Sequence, residues 1–320
     1  MAEVQLLVTC SKRKTRPPVP ALMLRSVGHQ TVAGRMGVWL ERLRRPQVET
    51  IRVEELYAGD HWSVVRSIAR STPSTGLRIR LWICSAGYGL LSWDSRIASY
   101  AATFSSGQAD SVARGDQTRS LNSAIQEWWK LLAQWKGPAP GSPRSVTELI
   151  RTFSRSFFIL AVSPPYLRAL ASDLQEAMKE LSDRDRFSVL SAGTGAREEG
   201  AENIVPCNAR LQSVVGGARA SLNVRLARMA LQELNGDEPR FSVLQDRFSR
   251  LLRQQPRRSY SARKPMTDEQ VRAYIRNALQ QNARARPSPL LARLRMTNKA
   301  CEQSRFVTLY REIEEDLHGA

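Results

Sequence analysis

Histidine is scarce in this chain, with three residues in 320. So few give no support for a Ser-His-Asp arrangement. Cysteine is nearly as rare. Cys10, Cys84, Cys207 and Cys301 lie far apart with no Cys-x-x-Cys pair, which argues against a structural zinc site and a disulfide framework. No apolar run approaches the roughly 20 residues of a membrane span; the best, over 157–162, is stopped by Pro164 and Pro165. The N-terminus lacks the basic-then-apolar order of a secretory signal, because its basic cluster follows the apolar run. Neither a P-loop spacing nor a dinucleotide fingerprint occurs. A reduced, soluble, cytoplasmic protein is expected, with no membrane partner, no metal and no cofactor.

Negative charge is also in short supply: 30 acidic residues face 48 Lys and Arg, for a formal net charge of +18. A field of that sign favours a polyanion, either nucleic acid or an acidic membrane surface. The excess is concentrated. From Arg240 to Lys299 there are fifteen Lys or Arg residues, opposed only by Asp246, Asp268 and Glu269. The last residues turn acidic again in REIEEDL.

What is present alternates between short apolar runs and helical periods. The runs at 4–9, 77–84, 156–163 and 187–190 read as buried strands, each leading into a turn. After the 156–163 run, Leu167, Leu170, Leu174 and Met178 fall on one helical face. This alternation predicts an α/β fold with a mostly parallel sheet and flanking helices. In such sheets, ligands bind at the carboxyl ends of the strands. Two of these runs end in Cys-Ser, at Cys10-Ser11 and Cys84-Ser85, so both loops are expected on one rim. A helical insertion is expected at about 105–145, its Leu121, Ile125, Trp128, Trp129, Leu132 and Trp135 at helical spacing. The expected domains are 1–234, α/β and catalytic, and 235–320, basic, helical and DNA-binding.

In the basic domain, Thr267 and Gln270 fit a capping box, and Ser288 before Pro289 fits a second helix start. A third helix is expected near Lys299, with Phe306, Tyr310, Ile313 and Leu317 inward. This outline is helix-turn-helix-like, and places Lys299, Glu302, Gln303 and Arg305 where groove-reading side chains belong. Arg257, Arg258, Lys264 and Arg293 add phosphate-binding charge. A basic helical cap without a nucleic-acid role is the alternative.

Three stretches carry candidate chemistry, and a fourth could hold an anion. SKRKT offers Ser11, Lys12 and Arg13 to a phosphate; a solvated basic loop fits equally. SAGYGLLSWDSRIASY places Ser85, Gly87, Tyr88, Asp94 and Tyr100 at a strand end, suited to a nucleobase pocket, or to a tight turn with a buried Tyr. ELYAGDHW puts Asp60 at a helix start, where capping is the default role. GGARASLN places Arg219 and Asn223 at another helix start, suited to an anion or to close packing. A carboxylate, a stacking aromatic and cationic charge fit hydrolysis of an N-glycosidic bond, whose transition state is oxocarbenium-like. Asp94 is the first candidate carboxylate and Asp60 the second. In DNA the base must be flipped into a pocket, where Tyr88, Ser85, Gly87, Tyr100 and Asn223 are the expected base-binding residues. A Schiff base from Lys12 is an alternative.

VTCSKRKT, ELYAGDHW and CSAGYGLLSWDSRIASYAATF resemble the YaaA-like group and its bacterial relatives, through Cys10, Ser11, Lys12, Ser85, Ala86, Gly89, Leu90, Asp94 and Tyr100. The resemblance covers the first hundred residues well and the segment to about Ala230 loosely. It implies a fold of the uracil-DNA glycosylase type and DNA binding. Members of the wider group look like antiphage DNA glycosylases that excise glucosylated cytosines from phage DNA. The combined expectation is a DNA glycosylase acting on double-stranded DNA with a flipped modified base. A non-catalytic DNA-binding regulator or stress-protection protein is the alternative, and an RNA transglycosylase a third.

Overall fold

A computed structural model describes residues 2–28, 31–45, 49–71, 76–114, 120–193, 202–234, 237–256, 264–283 and 285–318. The chain divides into two compact units, Met1–Pro256 and Arg257–Ala320.

The first unit is α/β. Its five-stranded sheet has the order β4-β3-β1-β6-β7. β1 (Glu3–Thr9) lies at the centre, parallel to β3 (Arg78–Ser85) and to β6 (Phe157–Ala161), and β6 is parallel to β7 (Phe187–Leu190). β4 (Gly89–Ser92) folds back antiparallel on β3 as an edge strand. A strand covered on both faces must be apolar nearly throughout, and β1 is buried from Val4 to Thr9. Its one buried long polar residue, Gln5, is satisfied sideways: it donates to Ser156 Oγ (3.1 Å) and accepts from Trp82 Nε1 (2.8 Å). A separate antiparallel pair joins β2 (Thr50–Arg52) to β5 (Arg96–Ala98).

The helices fall into two packed groups. α1 (Val32–Leu43) packs on α4 (Leu121–Gln134), and α4 and α5 (Val146–Thr152) pack on α6 (Pro164–Glu180). α2 (Val53–Leu56) is a single turn leading to α3 (Asp60–Arg70). α3 meets α8 (Leu222–Gln232), which lies on β6 and β7; the short α7 (Gln212–Val215) precedes it. Trp128 and Trp129 of α4 are core residues, as the helical spacing indicates, whereas Leu121 at the start of that helix is exposed. No helix among the described residues is long and apolar enough to cross a membrane.

The unit boundary lies later than 234. α9 (Phe241–Gln254) buries Leu244 and Phe248 completely in the α/β core, so the helix belongs to the first unit. Its basic residues are consequently structural in part. Arg240 pairs with Asp183 (3.0 Å) and Glu238 (3.0 Å), and Arg247 pairs with Glu233.

The second unit has its own core around Val271, Ile275, Leu294 and Phe306. β8 (Lys264–Pro265) precedes α10 (Asp268–Gln281), whose Thr267–Gln270 capping box is formed. α11 (Pro287–Met296) starts earlier than a Ser288 cap would allow: Arg286 is its N-cap and Pro287 its first residue. Pro287 suits that position because the first helical N–H has no intrahelical partner. Lys299 is not helical; β9 (Lys299–Ala300) pairs with β8, and α12 begins at Gln303 and runs to His318. Phe306, Tyr310 and Ile313 point inward, but Leu317 is exposed.

Candidate functional site

The strand order contains a topological switch point. From β1 the chain crosses towards β3, whereas from β6 it crosses the other way to β7, so β1 and β6 are neighbours whose connections diverge. Ligands of open α/β sheets bind outside the carboxyl ends of such a strand pair. Here those ends carry Cys10 and Ser11 on one side and Ser163 on the other. Cys10 Sγ lies 3.0 Å from the hydroxyl of Tyr166 in the first turn of α6. Pro164 and Pro165 occupy the start of α6, so its first two positions have no amide hydrogen to offer an anion.

The loop after β1 folds over this end of the sheet. Ser11 Oγ donates to Ala58 O (2.9 Å) and accepts from Arg13 N (3.2 Å), which fixes the turn. Lys12 and Arg13 are exposed, and Lys12 donates to Gln108. Lys14 turns inward instead. Its Nζ donates to Ser11 O at 3.3 Å and lies 4.3 Å from the Tyr100 ring centroid and 5.5 Å from that of Tyr57. Burial lowers its pKa, against the opposing influence of Cys10 and Asp110. Beneath it the Tyr57 and Tyr100 hydroxyls are 2.9 Å apart, and Tyr100 is 2.7 Å from Ser85 Oγ. Burial raises the pKa of Tyr57, Tyr100 and Tyr166 well above the usual phenol value. The result is a desolvated amine against neutral phenols.

The second wall comes from the starts of α3 and α8. Asp60 is the first residue of α3, next to His61, whose Nε2 is 3.0 Å from Thr9 O. Burial lowers the His61 pKa and favours the neutral ring. Asp60 Oδ2 accepts from Ser221 Oγ, and its Oδ1 accepts from Arg225 at 2.6 Å. The Ser221 hydrogen bond, aided by Arg225, holds the Asp60 carboxyl below the ordinary carboxylate range. Asp60 remains 43% exposed, whereas Arg225 is only 15% exposed. The guanidinium lies directly against Gly217, which has a left-handed φ of 74°; any side chain there would meet it. Asn223 ties two strand ends together, accepting from Ala192 N (2.8 Å) and donating to Val162 O (2.7 Å). Arg219 is exposed beside this start. Ser191 Oγ, just past β7, is buried without a hydrogen-bond partner among the described residues.

The structure separates the expected base pocket from this rim. Ser85 starts at the rim but is fully buried, and its Oγ accepts from Gly87 N (3.3 Å) and Tyr88 N (3.1 Å) to close the turn. Tyr88 is 3% exposed, packs against Tyr100 and Trp135, and its hydroxyl contacts both backbone polar groups of Ala98. It is a core residue and cannot stack on an entering base without leaving that core. Gly87 is needed for close packing, since a Cβ there would lie 2.5 Å from the Tyr100 ring. Trp39 and Trp128 donate to Gly87 O and Ala86 O, both at 2.8 Å, and cover the turn. Asp94 is displaced further. β4 runs back along β3, Trp93 N bonds Leu81 O, and Asp94 stands exposed beside Arg78 and Arg80, away from the strand ends. The antiparallel return of β4 explains this, because each residue after Gly89 moves away from the rim.

In the second unit, Lys264, Arg293, Lys299 and Gln303 are exposed. Arg305 is engaged: it pairs with Asp268 and donates to Met266 O at 3.1 Å, so it belongs to the helix packing rather than to a free reading face. Arg257 and Arg258 lie outside the described residues. Lys14, Arg225 and Tyr166 were not evident from sequence. Lys14 forms a bridge with Tyr57, so SKRKT and ELYAGD do meet, but a loop sequence does not say which of its lysines turns inward. Arg225 lies four residues after Ser221, a spacing that puts both on one helical side.

No protein-family model matches the chain, and neither a curated protein nor a solved structure matches it significantly.

Proposed function

We propose that the α/β unit hydrolyses the N-glycosidic bond of a modified base in DNA, with glucosylated hydroxymethyl-cytosine of phage DNA as the first candidate substrate and antiphage defence as its setting. The observation that carries this reading is Asp60: a half-exposed carboxylate, kept ionised by Ser221 and Arg225, beside the end of β1. Such a group can orient water or stabilise a sugar cation without any metal. Asp60 therefore replaces Asp94 as the leading candidate. Ser11, Lys12, Arg13 and Arg219 would hold the phosphates flanking a flipped nucleotide. Arg293 adds a duplex contact in a cytoplasmic protein, with helix-turn-helix-like docking of Gln303 as the finer form of that contact.

A second reading, a non-catalytic DNA-binding regulator, is favoured by one feature. Both Asp60 oxygens already accept hydrogen bonds, as expected of a structural ion pair. Purified protein incubated with plain, hydroxymethylated and glucosylated DNA, followed by alkali, separates the two. The enzyme reading expects strand breaks confined to modified DNA. Tight binding with no abasic sites on any substrate supports the regulator.

A further inference from the structure

The second unit contains a groove that neither the catalytic proposal nor a recognition helix uses. It lies between α10 and the β8–β9 pair, with a volume of about 770 Å³, within the range of small-ligand sites. Pairing of β8 with β9 brings Lys264 and Lys299 together as direct partners although they are far apart in sequence. Across from them, Gln270, Tyr274 and Asn277 line the groove from one side of α10, at the three- and four-residue spacing of a helical face. No carboxylate is among the described lining residues.

The α10 side of this groove offers donors. Gln270 Oε1 is consumed by Thr267 N in the capping box, and Asn277 Oδ1 accepts from Gln281, so both amides retain their NH2 groups as donors. Both lysines are exposed and carry no ion pair among the described residues. Tyr274 is half-buried and anchored, its hydroxyl donating to Leu290 O at 3.1 Å and its ring held against Phe306. Anchoring the hydroxyl fixes the ring in the groove wall. Donors, positive charge and a fixed aromatic ring, with no carboxylate to repel an anion, suit a phosphodiester chain whose bases are free to stack. A paired duplex hides its base faces; an unpaired strand presents them.

We propose that this groove binds an unpaired nucleic-acid strand, with a phosphate between Lys264 and Lys299 and a base on Tyr274. The inference rests on nucleic acid being the partner, but not on glycosidic hydrolysis. Base excision, which unpairs a nucleotide, is one process that would present such a strand.

The test is fluorescence anisotropy of the full-length protein with labelled oligo-dT, oligo-U and a duplex of equal length, over a salt series. The DNA and RNA arms identify which unpaired strand is preferred, and binding of either supports the groove. Lys264→Ala with Lys299→Ala is expected to weaken strand binding about tenfold or more, and to lower the salt slope by about 0.7, the value for one lost phosphate contact. Asn277→Asp, an isosteric change on an exposed helix face, is expected to weaken it as well by introducing the missing negative charge. Tyr274→Leu should weaken it about fivefold or more through lost stacking, and Tyr274→Phe should retain it. Arg311→Ala, an exposed charge on α12 outside the groove, is the control for net charge. Unchanged strand binding in the lysine and Asn277→Asp variants, or an equal loss in Arg311→Ala, would overturn the proposal. Abasic-site release by the same variants is scored separately. Its absence in the wild type counts against the catalytic reading and leaves the groove to the anisotropy result.

Discussion

Adjacent parallel strands of the α/β unit end in the same dipeptide, and the two copies have opposite fates. Cys84-Ser85 is fully buried; Cys10-Ser11 is half-exposed, although Cys10 N bonds directly to Cys84 O. The difference lies in the path the chain takes beyond each serine. After Ser85 a glycine turn sends the chain back as β4, and α1, α4 and Tyr100 close over it. After Ser11 a basic loop remains at the sheet end, opposite α3 and α8. One Cys-Ser therefore supports the core and the other borders the candidate site. Substitutions at the first should reduce stability, and those at the second should reduce function.

The largest effect is expected around the buried copy. Arg144, which is 6% exposed, donates to the carbonyls of Tyr88, Leu90 and Trp135 and so locks the turn and β4 in place. Burial lowers its pKa to about 10. Arg144→Ala leaves these buried carbonyls unpaired and should cost about 3 kcal/mol or more in denaturant unfolding. Gly87→Ala should cost about 1–3 kcal/mol by the same measurement, as Tyr100 is forced aside. If either variant unfolds like the wild type, the turn is not the packed element described here. Ser85→Ala should cost about 2 kcal/mol, because two buried amides lose their partner and the Tyr100 hydroxyl keeps only Tyr57. Ser11→Ala should cost less than about 1 kcal/mol, since its bonds are partly solvated.

Lys14 sharpens the contrast from the other side. Its folded pKa lies below the unfolded value, so the charged form is disfavoured in the folded state throughout neutral pH. Stability therefore rises with pH between the folded and unfolded pKa values, up to about 10.4. Lys14→Met should remove that rise and leave the protein at least as stable at neutral pH. A strongly destabilised Lys14→Met would instead make Lys14 a packing residue. The smallest effect is on acid stability. Asp60 has a lowered pKa, so its contribution is present above about pH 4 and lost as pH falls through the folded value. Asp60→Asn should flatten that acid limb slightly, the pair being partly solvated.

Much of this architecture was legible. The runs at 4–9, 77–84, 156–163 and 187–190 became β1, β3, β6 and β7 because a doubly covered strand leaves few positions for polar residues. The Thr267–Gln270 cap was equally direct, being a local hydrogen-bond pattern. What failed depended on return paths. The positions of Tyr88 and Asp94 are set by the antiparallel turn into β4, and a Gly-Tyr-Gly sequence does not say whether its aromatic is covered. The boundary expected at 234 missed α9 because NGDEPR resembles a linker, while Leu244 and Phe248 dock on the first core. Lys14 and Arg225 became visible only when distant segments met.

The most direct measurement is abasic-site release from glucosylated DNA by wild type, Asp60→Asn and Asp94→Asn, each first shown to be folded by thermal unfolding. Release is expected from wild type and Asp94→Asn, and its loss in Asp60→Asn. Release retained in Asp60→Asn and lost in Asp94→Asn would be the contradicting result, moving the chemistry from the strand-end rim to the far end of the sheet.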